Sequence, residues 1–381
     1  MLRNISISLK NYGAWDGNTE LKIAYVINSM EGGGAALPVP AIIDVMRSAG
    51  ASVRVFALVR RDGLAIPPLL EAKIDLVVRN GGEKDHVAAL RWLNREIAAW
   101  QPTHLWTSLT RATLLGQLVG SYRRIPVVSW QHAAFLKPAN RRLLRLTQGL
   151  SCLWVGDSET VTNLTSERLA VPSDRLAEWP IFRAEAEVPL AAPWRAGEKI
   201  RIGSLGRLHP VKGYDILIEA LSRISGDRSA ISVEVAGEGA QRPLLEALAA
   251  KYPDIDIAFT GYCANPLAFL AGLHLYVQPS RSEGLCIAAH EAMQAGLPVL
   301  ASAVGELPAS ITSETGMLVP PADPDQLAAA LDRLLAHPER LAAMGNAGRT
   351  RVLKRFGRKR FEAAGRAILQ RVEMLTGQRS G

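Results

Sequence analysis

The chain has few cysteines, no long apolar run and, over one long stretch, no acidic residue. The three cysteines, Cys152, Cys263 and Cys286, are far apart and show no CxxC spacing. We therefore predict neither a zinc site nor a disulfide framework. This cysteine content is consistent with a protein of a reducing compartment. Because no apolar run reaches about 18 residues, no membrane-spanning helix is expected. The polar residues 1–20 lack the apolar core of a signal peptide.

Acidic residues are missing from residues 97–156, between Glu96 and Asp157. The net charge of +8 and the pI of about 9.6 therefore arise mainly in the N-terminal half. A positive excess is typical of proteins that meet nucleic acid, an anionic membrane or a phosphorylated substrate, and it also aids solubility. The basic residues of this stretch are Arg111, Arg123, Arg124, Lys137, Arg141, Arg142 and Arg145.

Within this stretch, residues 135–150 (FLKPANRRLLRLTQGL) interleave apolar and basic side chains. Such a basic amphipathic segment is typical of helices that lie on an anionic membrane. A core helix with a solvated face explains the pattern equally well. All eight tryptophans lie at or before Trp194, and burial in a core is the first interpretation for Trp106, Trp130 and Trp154.

Short apolar strands alternate with helices in two blocks, which predicts two doubly wound α/β domains with parallel sheets. Ligands of such sheets bind beyond the carboxyl ends of the strands. We expect this division of the chain: a polar extension over 1–20, a first domain over 21–182, a linker over 183–199, a second domain over 200–355, and a C-terminal helix over 356–381 that packs back on the first domain.

Two basic side chains follow the first strand of the second block. Gly206 and Gly213 allow tight backbone turns, and Arg207 and Lys212 place cations near the start of a helix, where an anion is already favoured. A diphosphate fits such a site. A loop with solvated basic side chains is the alternative.

A second segment, residues 279–285 (PSRSEGL), also follows a strand and opens a helix. Glu283 lies in this loop and Glu291 about two turns into the helix. Carboxylates so placed accept hydrogen bonds from sugar hydroxyls, and the N–H groups of residues 284–286 face any nearby phosphate. The alternatives are a helix-dipole partner for Glu283 and a solvated acid for Glu291.

Together these segments resemble glycosyltransferase family four, the large family of retaining transferases with the GT-B fold. The matching stretches are residues 203–220 (GSLGRLHPVKGYDILIEA) and 279–302 (PSRSEGLCIAAHEAMQAGLPVLAS), and the second holds the E-x7-E signature as Glu283 and Glu291. The resemblance is strong over about 200–356 and weak over 21–182. It implies two Rossmann-like domains that face a central cleft, with a helical C-terminal tail.

The resemblance also implies roles for single residues. Arg207 and Lys212 would hold the donor diphosphate, Glu283 would contact the transferred sugar, and Glu291 would bind the ribose hydroxyls. His132, Arg207, Lys212 and Glu283 are expected to be catalytic, and no metal is implied, because the cations neutralise the leaving diphosphate. The further donor-binding residues expected are Gly33, Gly34, Gly237, Tyr262, Gly284, Leu285 and Cys286.

The chain departs from the family pattern at several positions. Ala35 and Ala36 follow the glycine pair where an acidic residue is usual, and Asn-Gly is missing from residues 178–183. These differences concern the acceptor side and the sugar pocket. The other departures are Glu306 for a glycine, Ala309 for an acidic residue and Cys286 for a glycine.

Two motifs of other families are set aside. Asp254-Ile255-Asp256 has the DxD form of metal-dependent GT-A transferases, but a polar turn that enters a strand explains it. The run Gly32 to Gly34 would need glycine at position 37 for a dinucleotide fingerprint, and Leu37 stands there. We therefore expect no metal and no cofactor.

The activity implied by the resemblance is a retaining hexosyl transfer from a nucleotide-diphosphate sugar, in the first place a UDP-sugar. The acceptor expected is lipid-linked, a lipopolysaccharide or a polysaccharide of the cell envelope, and nucleic acid is not expected as a partner. Two alternatives stay open: another GT-B enzyme such as a nucleotide-sugar epimerase, and a non-catalytic sugar-nucleotide-binding protein. The protein is expected in the cytoplasm or peripherally on the inner face of the membrane.

Overall fold

A computed structural model describes residues 21–132 and 136–377. The extension expected over 1–20, and Phe135 of the basic segment, lie outside the described residues. The chain divides into two compact units: the first ends at Arg183 and resumes at Lys359, and the second is Ala184–Arg358.

The first unit contains one parallel seven-stranded sheet with the order β3-β2-β1-β4-β5-β6-β7. The chain reverses the direction of strand addition between β1 and β4, which is the topological switch point of the sheet. Its strands are β1 (Lys22–Ser29), β2 (Ser52–Val59), β3 (Asp75–Val78), β4 (His104–Ser108), β5 (Val127–Gln131), β6 (Leu153–Gly156) and β7 (Leu176–Glu178). Its helices before Arg183 are α1 (Val39–Ser48), α2 (Ile66–Glu71), α3 (His86–Trp100), α4 (Thr110–Arg123), α5 (Pro138–Thr147) and α6 (Glu159–Leu169).

Buried tryptophans fill much of the first core, and the burial expected for Trp106, Trp130 and Trp154 is confirmed. Trp106, Trp130 and Trp179 are fully buried, with ring centroids 5.0 to 6.1 Å apart. Phe361 of the last helix packs 5.4 Å from Trp179. Residues from Lys359 onward thus complete the core of the first unit.

The second unit contains a parallel six-stranded sheet with the order β10-β9-β8-β11-β12-β13 and a switch point between β8 and β11. The prediction of two doubly wound α/β domains is confirmed. The strands are β8 (Ile200–Leu205), β9 (Ile231–Ala236), β10 (Ile257–Gly261), β11 (Leu275–Gln278), β12 (Val299–Ser302) and β13 (Gly316–Val319). The remaining helices of the chain are α7 (Tyr214–Leu221), α8 (Arg242–Ala249), α9 (Pro266–Ala271), α10 (Ile287–Gln294), α11 (Leu307–Ser310), α12 (Pro324–Leu335), α13 (Leu341–Phe356) and α14 (Arg358–Gly377).

A linker was expected over residues 183–199, but residues 184–199 belong to the second unit. Trp194 packs against the core of that unit, and the N–H of Ala191 donates to the carbonyl of Ala295 at 2.8 Å. Burial of the Trp194 ring and the backbone hydrogen bond of Ala191 hold the segment in place. Neither contact produces a hydrophobic periodicity from which the sequence could predict it.

In the part of the chain that the structure describes, no helix combines the length and the apolar character that crossing a bilayer requires.

Candidate functional site

The two predicted loops of the second unit meet at the switch point of its sheet. The first, residues 206–213, follows β8, and the second, residues 279–286, follows β11, the neighbouring strand. A Cβ atom on Gly213 would lie 2.0 Å from the carbonyl oxygen of Pro279, so only glycine permits this approach. Gly213 also has φ +68°, a conformation that glycine adopts at little cost.

An ion pair joins the two loops. Nζ of Lys212 donates to Oε1 of Glu283 at 2.7 Å, and both side chains are largely buried. The same oxygen accepts from the hydroxyl of Ser280 at 2.6 Å and from Nε2 of Gln278 at 3.1 Å. The carboxylate is therefore held in one position by three donors.

The charge on Lys212 is preserved despite its surroundings. Burial disfavours the ammonium form, but the carboxylate of Glu283 outweighs burial and holds the pKa of Lys212 above its ordinary value. Arg207, on the same loop, is exposed, and its charge also acts on Lys212. Two cations thus lie at the edge of the sheet where a ligand is expected.

The loop after β11 presents unused backbone donors. The N–H groups of residues 284–286 donate to no acceptor among the described residues, and α10 begins directly after them. Cys286 has φ +65°, which explains why glycine is usual at this position. Burial raises the pKa of its thiol well above the ordinary value, so the thiol stays neutral. Leu285 is buried.

Glu291 lies on α10 and differs from the other carboxylates of the site. Burial raises the pKa of Glu291 to about 7. No hydrogen bond or ion pair of its carboxyl group is found among the described residues. A carboxyl group in this setting offers both oxygens to an incoming donor, such as a pair of vicinal hydroxyls.

Gly237 and Tyr262 follow β9 and β10, at the same edge of the sheet. A Cβ on Gly237 would lie 1.9 Å from the carbonyl oxygen of Gly206, so glycine is required there too. Tyr262 has 52% of its surface exposed, which leaves its ring open to a ligand. All the predicted donor-binding residues of the second unit thus lie after neighbouring parallel strands or on α10.

Glu306 has a structural explanation that the sequence did not provide. Its side chain is buried and forms an ion pair with Arg355, which also donates to the hydroxyl of Ser310 at 2.8 Å. The N–H of Glu306 donates to the carbonyl of Gly284 at 2.9 Å, so this loop supports the loop after β11. The residue anchors α13 through its side chain.

A Glu306→Ala variant is expected to lose about 2–3 kcal/mol of unfolding free energy. The expected loss is smaller than the loss from breaking a fully buried ion pair, because a quarter of the Arg355 side chain is exposed. Urea denaturation measures the effect, and Glu314→Ala, at an exposed acid of the same unit, should change it by less than about 0.5 kcal/mol. Equal stability of Glu306→Ala and wild type would contradict this role.

Asp254 and Asp256, the residues of the DxD motif, bind basic side chains. Asp254 pairs with Arg228, and Asp256 accepts from Nζ of Lys199 at 2.8 Å. These pairs account for the motif as part of the surface around β10.

The other predicted site residues belong to the first unit. His132 follows β5, and its Nε2 lies 2.8 Å from the hydroxyl oxygen of Ser108 at the end of β4. Its Nδ1 lies 3.6 Å from Oδ2 of Asp157, which follows β6 and is buried. The ring stacks on Trp130 at 5.5 Å. Three neighbouring strand ends therefore fix the imidazole between a hydroxyl group and a carboxylate.

Ser108 and Asp157 were not singled out from the sequence. Asp157 is the residue that ends the acid-free stretch, and it follows a predicted strand directly, so a signal was present. Gly33 and Gly34 lie in the loop between β1 and α1, where the carbonyl of Gly33 accepts from the N–H groups of Ala36 and Leu37 at 3.1 Å. Gly34 is exposed.

Comparison with known proteins finds relatives of the second unit. Residues 192–351 match the family model "Glycosyl transferases group 1". A D-inositol 3-phosphate glycosyltransferase of Segniliparus rotundus is 34% identical over 176 residues, which cover 44% of this chain and 38% of that protein. A GDP-mannose-dependent alpha-(1-6)-phosphatidylinositol monomannoside mannosyltransferase of Mycobacterium tuberculosis is 34% identical over 193 residues, which cover 47% of this chain and 48% of that protein. The matches thus span less than half the length of these relatives.

Solved structures share the fold over nearly the whole chain. HepE of Anabaena, in complex with UDP-glucose, superposes with a TM-score of 0.79 at 18% identity, over 92% of this chain and 99% of that one. Sucrose-phosphate synthase of Thermosynechococcus elongatus gives a TM-score of 0.76 at 20% identity, over 93% and 98%. These likenesses establish the GT-B fold. Residues 192–351, which lie within the second unit, are thus similar in sequence to the group 1 glycosyltransferases.

Proposed function

We propose that this protein is a retaining, metal-independent glycosyltransferase that moves a hexose-type sugar from a nucleotide-diphosphate sugar to a lipid-linked or saccharide acceptor. The observation that carries the proposal is the Lys212–Glu283 pair at the switch point of the second sheet. It lies beside the unused N–H groups of residues 284–286 and on the same edge as Glu291. Cations, amide donors and free carboxylate oxygens are the groups that a sugar nucleotide requires.

Each group has a distinct task in this proposal. Lys212, Arg207 and the amides of residues 284–286 would bind the diphosphate, Glu291 would accept from the ribose hydroxyls, and Glu283 from hydroxyls of the sugar. In the transfer, the bond between the sugar and the diphosphate breaks and its electron pair leaves with the diphosphate. The acceptor oxygen bonds to the sugar, and its proton passes to an oxygen of the leaving diphosphate. Positive charge already present at the leaving group stabilises this transition state without reorganisation.

His132, in the first unit, would act on the transferred sugar. Ser108 and Asp157 restrict its rotation, and a fixed imidazole donates or accepts with little entropic cost. Gly33 and Gly34 would allow the backbone after β1 to approach the donor.

The donor we propose is a UDP-sugar, in line with the fold shared with HepE, which was solved with UDP-glucose. Relatives named for GDP-mannose make GDP-mannose the first competitor to test. The relatives' acceptors, inositol 3-phosphate and a phosphatidylinositol mannoside, support an anionic or lipid-linked acceptor in glycan biosynthesis for this chain. We place the enzyme in the cytoplasm or on the inner face of the membrane.

Transfer from a sugar nucleotide to a lipid or saccharide acceptor is expected, and excess EDTA should change its rate less than about twofold, because Lys212 and Arg207 supply the positive charge. The measurement is an incubation with UDP-sugars and GDP-mannose, with products resolved by mass spectrometry. An epimerised donor, or binding without turnover across the panel, would replace the transferase assignment. If EDTA abolished transfer and Mn²⁺ restored it, the enzyme would not be independent of metal. Asp254 and Asp256 would then be the first candidates for its ligands.

A further inference from the structure

Part of the acid-free stretch, α5 and the residue before it, forms a basic surface. Three arginines of α5, Arg141, Arg142 and Arg145, and Lys137 just before it are all exposed. Their side chains form no ion pair or hydrogen bond with any described residue. Arginines elsewhere commonly pair, as Arg242 does with Glu238 and Glu246. No carboxylate of the described residues thus forms an ion pair with these four cations.

Large apolar side chains are exposed on α5 and on the neighbouring helix α4. Leu146 is 76% exposed and Leu143 48% exposed on α5, and Tyr122 is 77% exposed and Leu118 48% exposed on α4. The two helices are in contact, and the buried Leu144 of α5 shares a hydrophobic cluster with Leu114 of α4 and Trp154 of β6. Leu144 is the buried residue of α5. The rest of this helix is thus free of the core.

We propose that α4 and α5 form a membrane-binding face, which docks the first unit on an anionic lipid surface. Cations attract the anionic headgroups, and the exposed leucines and Tyr122 enter the boundary between headgroups and acyl chains. Apolar side chains next to arginine favour lipid over a soluble polyanion, because a polyanion gives them no apolar environment. The face would bring the enzyme to its lipid-linked acceptor, and this role rests on the proposed function. The binding of the face to anionic lipid does not depend on the proposed function.

Co-sedimentation with vesicles tests the face without any donor or acceptor. Wild-type protein should pellet with vesicles that contain anionic phosphatidylglycerol and stay in solution with pure phosphatidylcholine. Binding should weaken as salt rises, because the Debye length shortens from about 10 Å at 0.1 M salt to about 3 Å at 1 M. If the wild type ignores anionic vesicles at low salt, the proposal is wrong.

Arg141→Glu with Arg142→Glu should weaken binding at least about 30-fold, the equivalent of two cations at about 1 kcal/mol each. The matched control is Arg333→Glu with Lys354→Glu, at exposed positions of the second unit, which lowers the net charge equally, from +8 to +4. The control should bind like wild type. Equal loss in both double variants would assign the binding to net charge and overturn the proposal.

The apolar side chains are tested separately by Tyr122→Ser with Leu146→Ser. This variant should bind anionic vesicles severalfold more weakly and keep its response to salt. If its vesicle binding is unchanged while heparin competes fully with vesicles, the surface is a groove for a soluble polyanion and the membrane assignment fails. Nucleotide binding, followed by thermal shift, should stay at the wild-type value in all these variants, which separates this proposal from the donor site.

Discussion

A Lys212→Gln variant is expected to lose at least about a hundredfold in kcat, with a smaller change in KM. Glutamine is one bond shorter than lysine and uncharged, so the variant removes the positive charge and weakens the contact with Glu283 while it keeps a polar side chain. That charge is required most when the diphosphate leaves, and removal of one such stabilising group typically costs 10² to 10³ in kcat. Steady-state kinetics at saturating donor measures the effect.

The control is Lys354→Gln, which removes an exposed lysine on α13 and should leave kcat unchanged. Arg207→Ala should lower kcat and kcat/KM together but by less, because Arg207 is exposed and water screens its charge. Full activity of Lys212→Gln with native stability would move the diphosphate site away from the loops after β8 and β11.

A Glu291→Gln variant should bind the sugar nucleotide roughly 10- to 150-fold more weakly, the equivalent of about 1.5–3 kcal/mol for hydrogen bonds to a charged acceptor. The wild type should also show a pH dependence. With a pKa of about 7 in the free protein, Glu291 must lose its proton before it accepts from ribose hydroxyls. Affinity should therefore rise roughly tenfold between pH 6 and pH 8, by the linkage of binding to deprotonation.

Isothermal titration with an intact nucleotide sugar measures this dependence, because its diphosphate, esterified at both ends, does not titrate in this range. Glu291→Gln should bind with the same affinity at pH 6 and pH 8. Unchanged affinity of the variant, or the same pH profile in variant and wild type, would remove Glu291 from the site.

The carboxyl group of Glu291 also makes the stability of the protein depend on pH. The stability falls as the pH rises, whereas an ion-paired acid makes the stability rise with pH. Burial raises its pKa in the folded protein, so the folded state binds the proton more tightly than the unfolded chain. The free energy of unfolding should fall as pH rises from the ordinary glutamate pKa of about 4.5 toward 7, and the penalty is complete above 7. Glu291→Gln should thus have a higher Tm than wild type at pH 8 and a similar one at pH 4.

The alternation of apolar strands and helices was sufficient to predict both sheets, because a parallel strand buried on both faces is apolar along its whole length. The edge strands β7 and β13 were not predicted. These strands have three and four residues, which is too few to show a periodic pattern. They form strands because they pair with β6 and β12. Residues 183–199 were assigned to a linker for a similar reason, since contacts rather than a local pattern hold residues 184–199 in the second unit.

The sequence determined where each predicted donor-side residue lies, either beyond a strand end or on the helix that follows. Parallel strands bring the loops that follow them to one edge of the sheet, which is why this position could be predicted. The sequence also carried the acid-free stretch and the family resemblance. The tertiary structure alone decided which groups touch: Lys212 with Glu283 over 71 positions, and Glu306 with Arg355 over 49. It also placed Ser108 and Asp157 on either side of His132. Hydrogen bonds, burial and the raised pKa of Glu291 depend on distances across the fold, and no local pattern of residues encodes those distances.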